Sequence, residues 1–275
     1  MSEPIRVYLD SNVIIELSEG RLDNFMSHLM NSKELKTYIY PFSAAQVSEV
    51  TRNPLTKRCH DRLELISSIS NDLYFVHSIY DYEYRQESPE SVWDTITNPN
   101  PGLVEKDLIK NLISFDQMKD MRDQLGLNPD ILNNLSGRKA VSTIDEAISK
   151  TIPEGSEGPR SLRDMLLLLR KLNKETFSEQ WKQMGTSESH MTIGDDLHII
   201  FSLLEGFGYW PDSKKVFKKG SRFADSEHVF NGSHCDFLVT RDKGMKNRAE
   251  AVYSILEKNT RVMLTDEYVE HITLA

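Results

Sequence analysis

The first residues of the chain combine a short apolar segment with an acid and an amphipathic pattern. Residues 5–9 are mostly apolar or β-branched, as in a buried strand, and Asp10 follows them directly. Val13, Ile14 and Leu17 then share one side of a helix. The pattern predicts a strand, a turn and a helix, so we expect Asp10 at the carboxyl end of its strand.

The same order of elements returns directly after this helix. Residues 37–40 predict a second strand, which is followed by Pro41 and by a helix with Ser43 as its cap. Glu49 lies about two turns into that helix. Residues 73–76 are a third short apolar segment, which allows another strand.

The C-terminal part of the chain repeats this order. Residues 237–240 predict a strand, and Arg241 and Asp242 follow at its end. A helix is predicted after them, over residues 247–257. Residues 261–264 predict a further strand, and Thr265 caps a last short helix. Strands that alternate with helices indicate a parallel sheet of βαβ units. The predicted fold class is therefore α/β.

The middle of the chain differs from both ends, because residues 85–191 show no convincing strand. Apolar residues recur at steps of three or four from Val104 to Leu125, and they predict one amphipathic helix that ends at Gly126. We interpret 85–192 as a large helical insertion and 1–84 with 193–275 as the core.

Composition excludes several classes of protein. Of the 275 residues, 39% are hydrophobic and 27% are charged, which is typical of a globular chain with a core. The longest apolar run, Met165 to Leu169, is far shorter than the roughly 20 residues of a membrane span. Two cysteines favour a reducing compartment, and the N-terminus lacks signal-peptide features. We expect a cytoplasmic protein that does not contact a membrane.

The formal net charge of −9 at first disfavours a nucleic-acid partner, because an acidic protein repels phosphate. The charge is unevenly distributed, however, since residues 201–275 carry 11 basic and 11 acidic side chains. Within them, 213–222 contain no acid and five bases, which form either a phosphate-binding surface or a solvated charged segment. Net charge therefore does not exclude a nuclease.

Four acids follow the predicted strands or begin the helices beside them: Asp10, Glu49, Asp225 and Asp242. Ligands of parallel sheets bind at the carboxyl ends of the strands, where these acids can converge. Each acid alone is better explained as a helix cap or a solvated residue. Together they form a set of oxygen ligands without Cys or His, which suits Mg²⁺ or Mn²⁺ better than Zn²⁺.

The segment from Val7 to Val13, the helix with Glu49, the helix with Asp225 and the segment from Phe237 to Asp242 together resemble a PIN domain. The resemblance covers residues 5–84 and 193–275, although the gap between the second and third acids is unusually long. It implies a three-layer α/β/α fold with a central parallel sheet. It also implies a metal-dependent nuclease, in most members a ribonuclease and in many a bacterial toxin paired with an antitoxin.

The resemblance assigns the four acids as catalytic metal ligands, and it places Asn12 and Thr240 as supporting residues. Asp236, just before the late strand, is expected to cap that strand and to lie near the ligands. His228, one helical turn after Asp225, is expected to form a hydrogen bond or to pack. Three bases beside Asp242 are predicted to contact the substrate: Arg241, Lys243 and Arg248.

The predicted activity is endonucleolytic hydrolysis of RNA with Mg²⁺ or Mn²⁺, leaving 5′-phosphate and 3′-hydroxyl ends. Single-stranded DNA as substrate, an antitoxin-like partner and a homo-oligomer are also compatible with the sequence. One alternative is a PIN-like scaffold that binds RNA or protein without turnover. Another is a phosphatase of the haloacid dehalogenase type, but that family has a second aspartate where Asn12 stands.

Overall fold

The computed structural model describes residues 3–34, 37–51, 56–77, 81–97, 115–171, 188–211 and 221–274. The chain forms two compact units. The first comprises Met1–Leu103, Glu227–Lys246 and Asn259–Ala275, and the second comprises Val104–Ser226 and Asn247–Lys258. The division into a nuclease core and an insertion at 85–192 stays a prediction.

A four-stranded parallel sheet lies in the first unit. Its strands are β1 (Ile5–Leu9), β2 (Tyr38–Ile39), β6 (Phe237–Thr240) and β7 (Arg261–Leu264). The order is β2-β1-β6-β7, and every neighbouring pair is parallel. β6 is buried along its whole length, as expected of a central parallel strand with apolar residues on both faces. The predicted α/β class with a central parallel sheet is confirmed, and the arrangement is compatible with three layers.

A second, smaller sheet of the same unit contains β3 (Phe42–Ser43), β4 (Leu73–His77) and β5 (Tyr82–Gln86), in that order. β3 and β4 are parallel, whereas β4 and β5 are antiparallel. β5 is not among the strands predicted from sequence, because it contains no continuous apolar run. Tyr82 and Tyr84 nevertheless alternate there with charged residues, a period of two that is typical of a half-buried strand, and the segment pairs with β4 along its whole length.

The helices of the first unit are Ser11–Ser18, Asp23–Glu34, Ala44–Val50, Lys57–Ser70, Pro89–Thr97 and Thr265–Leu274. They pack apolar side chains against the sheet in one core, which includes Val7, Val239, Leu63 and Tyr268. Ser43 is the N-cap of its helix as predicted, and its backbone N–H donates to Gln46 Oε1 at 2.7 Å.

The second unit is helical over its described part. Its helices are Phe115–Gln124, Pro129–Leu132, Gly137–Thr151, 162–171 and Glu188–Gly206. Two more helices, Ser221–Gly232 and Lys243–Ile255, contribute residues to both units. The predicted helix end at Gly126 agrees with its positive φ of 65° and with Gln124 as the last helical residue.

Two parts of the sequence prediction lie outside the described residues. They are the first half of the predicted amphipathic helix, 104–114, and most of the basic run at 213–222. None of the helices that the structure describes has both the length and the apolar character needed to cross a membrane.

The order of the strands reverses at β1. The chain passes from β1 to β2 on one side, whereas β6 pairs with β1 on the other side. In open parallel sheets, ligands bind outside the carboxyl ends of the strands where the order reverses. Asp10 follows β1 at this place, and its backbone N–H donates to the Val239 carbonyl oxygen at 2.8 Å.

Candidate metal centre

Asp10 is buried beside the end of β6 and does not act as a helix cap. It stands at the N-cap position of the Ser11–Ser18 helix, but its side chain makes no capping hydrogen bond. Instead, Oδ2 accepts hydrogen bonds from Thr240 Oγ1 at 2.8 Å and from Asn12 Nδ2 at 3.3 Å. The side chain of Asp10 is only 2% exposed. Its carboxylate is thus held in place by Thr240 and Asn12, the two residues that the resemblance in sequence implies as supporting residues.

Glu49 and His228 lie next to Asp10. His228 Nε2 is 2.9 Å from Glu49 Oε2, 3.0 Å from Ser11 Oγ and 3.8 Å from Asp10 Oδ1. Glu49 comes from the Ala44–Val50 helix after β3, and His228 from the part of Ser221–Gly232 that belongs to the first unit. Three elements far apart in sequence therefore bring two carboxylates and one imidazole together.

A second hydrogen-bond chain holds the other side of the His228 ring. Tyr8 Oη lies 2.9 Å from His228 Nδ1, and Ser43 Oγ lies 2.7 Å from Tyr8 Oη. Burial raises the pKa of Tyr8 well above its usual value, so the phenol keeps its proton. The imidazole is therefore fixed in orientation by a neutral phenol.

The electrostatics of Asp10 favour a cation at this place. Burial raises the pKa of Asp10, and the negative charges of Glu49 and Asp242 raise it further. His228 and the hydrogen bond from Thr240 act in the opposite direction. A bound cation would offset the burial and the mutual repulsion of these acids.

The three residues have the spacing of metal ligands. Asp10, Glu49 and His228 each offer one ligand atom, and these atoms lie within 4.8 Å of one another. Two ligands of one divalent ion lie at most about 4–5 Å apart, since metal–oxygen distances are about 2.0–2.6 Å. The donor set differs from the predicted one, because it contains a histidine nitrogen besides carboxylate oxygens.

Asp242 is exposed and acts as the cap of the helix that follows it. Its Oδ1 accepts from Met245 N at 3.0 Å, and its own N–H donates to Thr240 Oγ1 at 3.0 Å. It therefore lies close to Thr240 and acts electrostatically on Asp10. Its part as a direct metal ligand stays a prediction.

Asp225 belongs to the second unit, where it forms an ion pair. Arg248 Nη2 lies 3.1 Å from Asp225 Oδ2, and the Arg248 guanidinium also stacks on Phe201 at 4.4 Å from the ring centroid. Arg248 was expected to contact the substrate, but its side chain is only 3% exposed, and burial leaves little surface for such a contact. The role of Asp225 as a metal ligand stays a prediction.

The other predicted residues lie at different places in the first unit. Asp236 precedes β6, at the edge of the sheet opposite to Asp10, and its Oδ2 accepts from the backbone N of Arg6 at 2.8 Å. The length of the strand separates it from Asp10, so it holds the strand start and does not support the cluster. Arg241 Nε lies 3.0 Å from Glu16 Oε2, and the side chain of Lys243 is exposed.

Comparisons of the chain with protein-family models, with curated proteins and with solved structures found no match.

The sequence pattern did not single out His228 as a ligand. Its contact Glu49 is 179 positions away, and no local spacing reveals a pair of that kind. Tyr8 was also missed, although a signal existed. It stands two residues before Asp10 in an extended segment, so both side chains point to the same face of the sheet.

Proposed function

We propose that the protein is a metal-dependent nuclease with a PIN-like α/β/α fold that cleaves RNA internally. The observation that carries the proposal is the buried carboxylate of Asp10, held by Thr240 and grouped with Glu49 and His228. Among the residues that the structure describes, Asp10 neither caps a helix with its side chain nor pairs with Lys or Arg. Burying such an acid is costly, and such acids concentrate at functional sites.

A divalent ion at this place would act as a Lewis acid that lowers the pKa of water and stabilises charge on the leaving oxygen of a phosphodiester. The protein's own residues prepare that chemistry. Asp10 and Glu49 provide negative charge, while Thr240 and Asn12 hold one carboxylate oxygen of Asp10 and leave Oδ1 facing the cluster.

RNA as the substrate is supported by the resemblance in sequence. Lys243 is exposed in the first turn after Asp242, where it can contact a phosphate. Arg241 is exposed as well, with its Nε 3.0 Å from Glu16 Oε2, and it is a second candidate for a phosphate contact. Arg248 is buried and paired with Asp225, so it is not among the proposed substrate contacts.

The test compares two substitutions of the same kind. Wild-type protein, Asp10→Asn and Asp236→Asn are incubated with labelled single-stranded RNA and Mn²⁺. Asp10→Asn should lose hydrolysis, because it removes a charge from the cluster. Asp236→Asn should keep hydrolysis, because Asp236 lies at the opposite edge of the sheet. The products should carry 5′-phosphate ends.

Equal rates of RNA hydrolysis by wild type and Asp10→Asn would contradict the proposed active site. Binding of RNA by the wild type, without cleavage in Mg²⁺, Mn²⁺ or other divalent metals, would instead support a PIN-like scaffold without turnover.

A further inference from the structure

We infer that His228 is a nitrogen ligand of the metal, which makes the centre a mixed nitrogen and oxygen site that prefers Mn²⁺ over Mg²⁺. Tyr8 is the positioning residue that directs the His228 ring. The inference rests on the proposed function only in requiring that a divalent metal binds at Asp10 and Glu49.

The first observation is the crowding around Nε2 of His228. Glu49 Oε2, Ser11 Oγ and Asp10 Oδ1 lie 2.9, 3.0 and 3.8 Å from this one nitrogen. An imidazole nitrogen carries at most one hydrogen, so it cannot donate to both carboxylates at once. A cation can attract both carboxylates and the nitrogen lone pair together.

The second observation is the state of Asp10 Oδ1. The Asp10 side chain is 98% buried, and both of its hydrogen bonds go to Oδ2. Within the described part of the chain, Oδ1 accepts no hydrogen bond, although it faces Nε2. Oδ1 therefore turns lone pairs toward the cluster, where they can bind an electron-pair acceptor such as a metal ion.

The third observation is the support of the ring from behind. Nδ1 can donate to Tyr8 Oη, because Tyr8 can in turn donate to Ser43 Oγ. With the ring proton on Nδ1, the lone pair of Nε2 points toward Asp10 and Glu49. Metal-binding histidines commonly have such a partner on their second nitrogen, which fixes the tautomer.

The presence of nitrogen determines which ion the site prefers. Mg²⁺ binds oxygen ligands and retains several waters, whereas imidazole suits first-row transition metals. Two carboxylates with one imidazole therefore favour Mn²⁺ over Mg²⁺ more strongly than an all-oxygen cluster would.

The direct test is pulsed electron paramagnetic resonance on the protein loaded with Mn²⁺ alone. Wild-type protein should show ¹⁴N modulation from a bound imidazole, and labelling with ¹⁵N-histidine should change that modulation. The modulation should be lost in His228→Gln and kept in the control His60→Gln, since His60 is exposed on another helix. The label marks all eight histidines alike, so it shows that a histidine binds the metal, and the variants identify which one. If His228→Gln does not fold, His228→Asp serves as the second variant and should also lose the modulation.

Tyr8→Phe and His228→Asp test the rest of the inference. Tyr8→Phe should weaken Mn²⁺ binding about 10-fold, the lower end of the effect of losing a support of a ligand. His228→Asp should lower the ratio of Mn²⁺ to Mg²⁺ affinity by about 10-fold, because it restores an all-oxygen set. An unchanged ratio would overturn the assigned preference.

The outcomes also separate this inference from the proposed function. Bound Mn²⁺ without nitrogen modulation would overturn His228 as a ligand and leave the nuclease proposal standing. Nitrogen modulation without any RNA hydrolysis would support the mixed nitrogen and oxygen site and would contradict the proposed nuclease activity. Failure of Mn²⁺ to bind would overturn both.

Discussion

Thr240 Oγ1 donates a hydrogen bond of 2.8 Å to Oδ2 of Asp10, which stands 230 positions earlier in the chain. The two residues end or follow the paired parallel strands β6 and β1, so the register of one strand pair sets the contact. The same hydroxyl accepts from the N–H of Asp242 at 3.0 Å. One threonine thus connects two of the predicted acids.

Thr240→Val should weaken both the fold and the metal centre. Valine keeps the shape but removes a buried hydrogen bond, so we expect the free energy of unfolding to fall by about 1–2 kcal/mol. Mn²⁺ affinity should fall about 10- to 100-fold, since a support of a ligand is lost. Urea unfolding and Mn²⁺ titration measure the two effects.

Thr260→Val is the matched control for this substitution. Thr260 Oγ1 donates to the Cys235 carbonyl oxygen at 2.8 Å, away from Asp10. Thr260→Val should lower the free energy of unfolding without changing the affinity for Mn²⁺. Equal Mn²⁺ affinity in Thr240→Val and wild type would contradict the role assigned to Thr240.

Mn²⁺ should stabilise the wild-type protein in proportion to its occupancy. At a free concentration 100 times the Kd, binding to the folded state alone adds about 2.7 kcal/mol to the free energy of unfolding. Asp10→Asn should lose most of this gain, whereas Asp236→Asn should retain it. Thermal unfolding with and without Mn²⁺ is the measurement, and equal gains in both variants would speak against Asp10 as a ligand.

The parts of the fold that local pattern determines could be predicted from sequence. β1, β6 and β7 are short apolar segments between polar residues, and the place of Asp10 after β1 follows from that pattern alone. β5 was not predicted because it lacks a continuous apolar run, although its alternation of tyrosines with charged residues is typical of a half-buried strand.

Asp10 and Thr240 were predictable from the strand ends, and Glu49 from the resemblance in sequence. Asp10 and Thr240 meet because parallel strands end at one edge of a sheet. His228 meets Glu49 through the packing of two helices, which no spacing in the sequence encodes. Arg248 illustrates the converse, since proximity in sequence to Asp242 suggested a substrate contact, whereas the fold buries it against Phe201.

Gly137→Ala should destabilise the second unit, because the added methyl group would clash with the backbone packed against Gly137. A Cβ at Gly137 would lie 2.6 Å from the Ala251 nitrogen and 2.9 Å from the Asn247 carbonyl oxygen, and neither backbone atom can move easily. We expect a loss of about 1–3 kcal/mol in unfolding free energy. Urea unfolding measures it.

Gly158→Ala provides the comparison for Gly137→Ala. There the three described atoms nearest to a Cβ all belong to the Ile152 side chain, with Cδ1 at 3.2 Å, and that side chain can rotate away. The loss should stay below about 0.5 kcal/mol, as for most surface substitutions. A loss as large as that of Gly137→Ala would contradict the packing assigned to Gly137.

Asp196 in the second unit should make stability depend on pH. Burial raises the pKa of Asp196 to about 6 from the usual 3.8, although Arg170, with Nε at 3.2 Å from Oδ1, lowers it. The folded state therefore holds a proton that the unfolded state has already released between these two values. By linkage, the free energy of unfolding decreases as the pH rises through this window and stays lower above it.

Asp196→Asn should remove this decrease. Above pH 6 we expect it to raise the free energy of unfolding by about 1–2 kcal/mol, less than the full shift implies because water screens part of the carboxylate. Urea unfolding at pH 4.5 and pH 7.5 measures the change for wild type, Asp196→Asn and Asp123→Asn, whose side chain is exposed. Asp123→Asn should keep the wild-type difference between the two pH values. If Asp196→Asn also keeps the wild-type difference in unfolding free energy, Asp196 does not titrate between its usual pKa and the raised pKa of about 6.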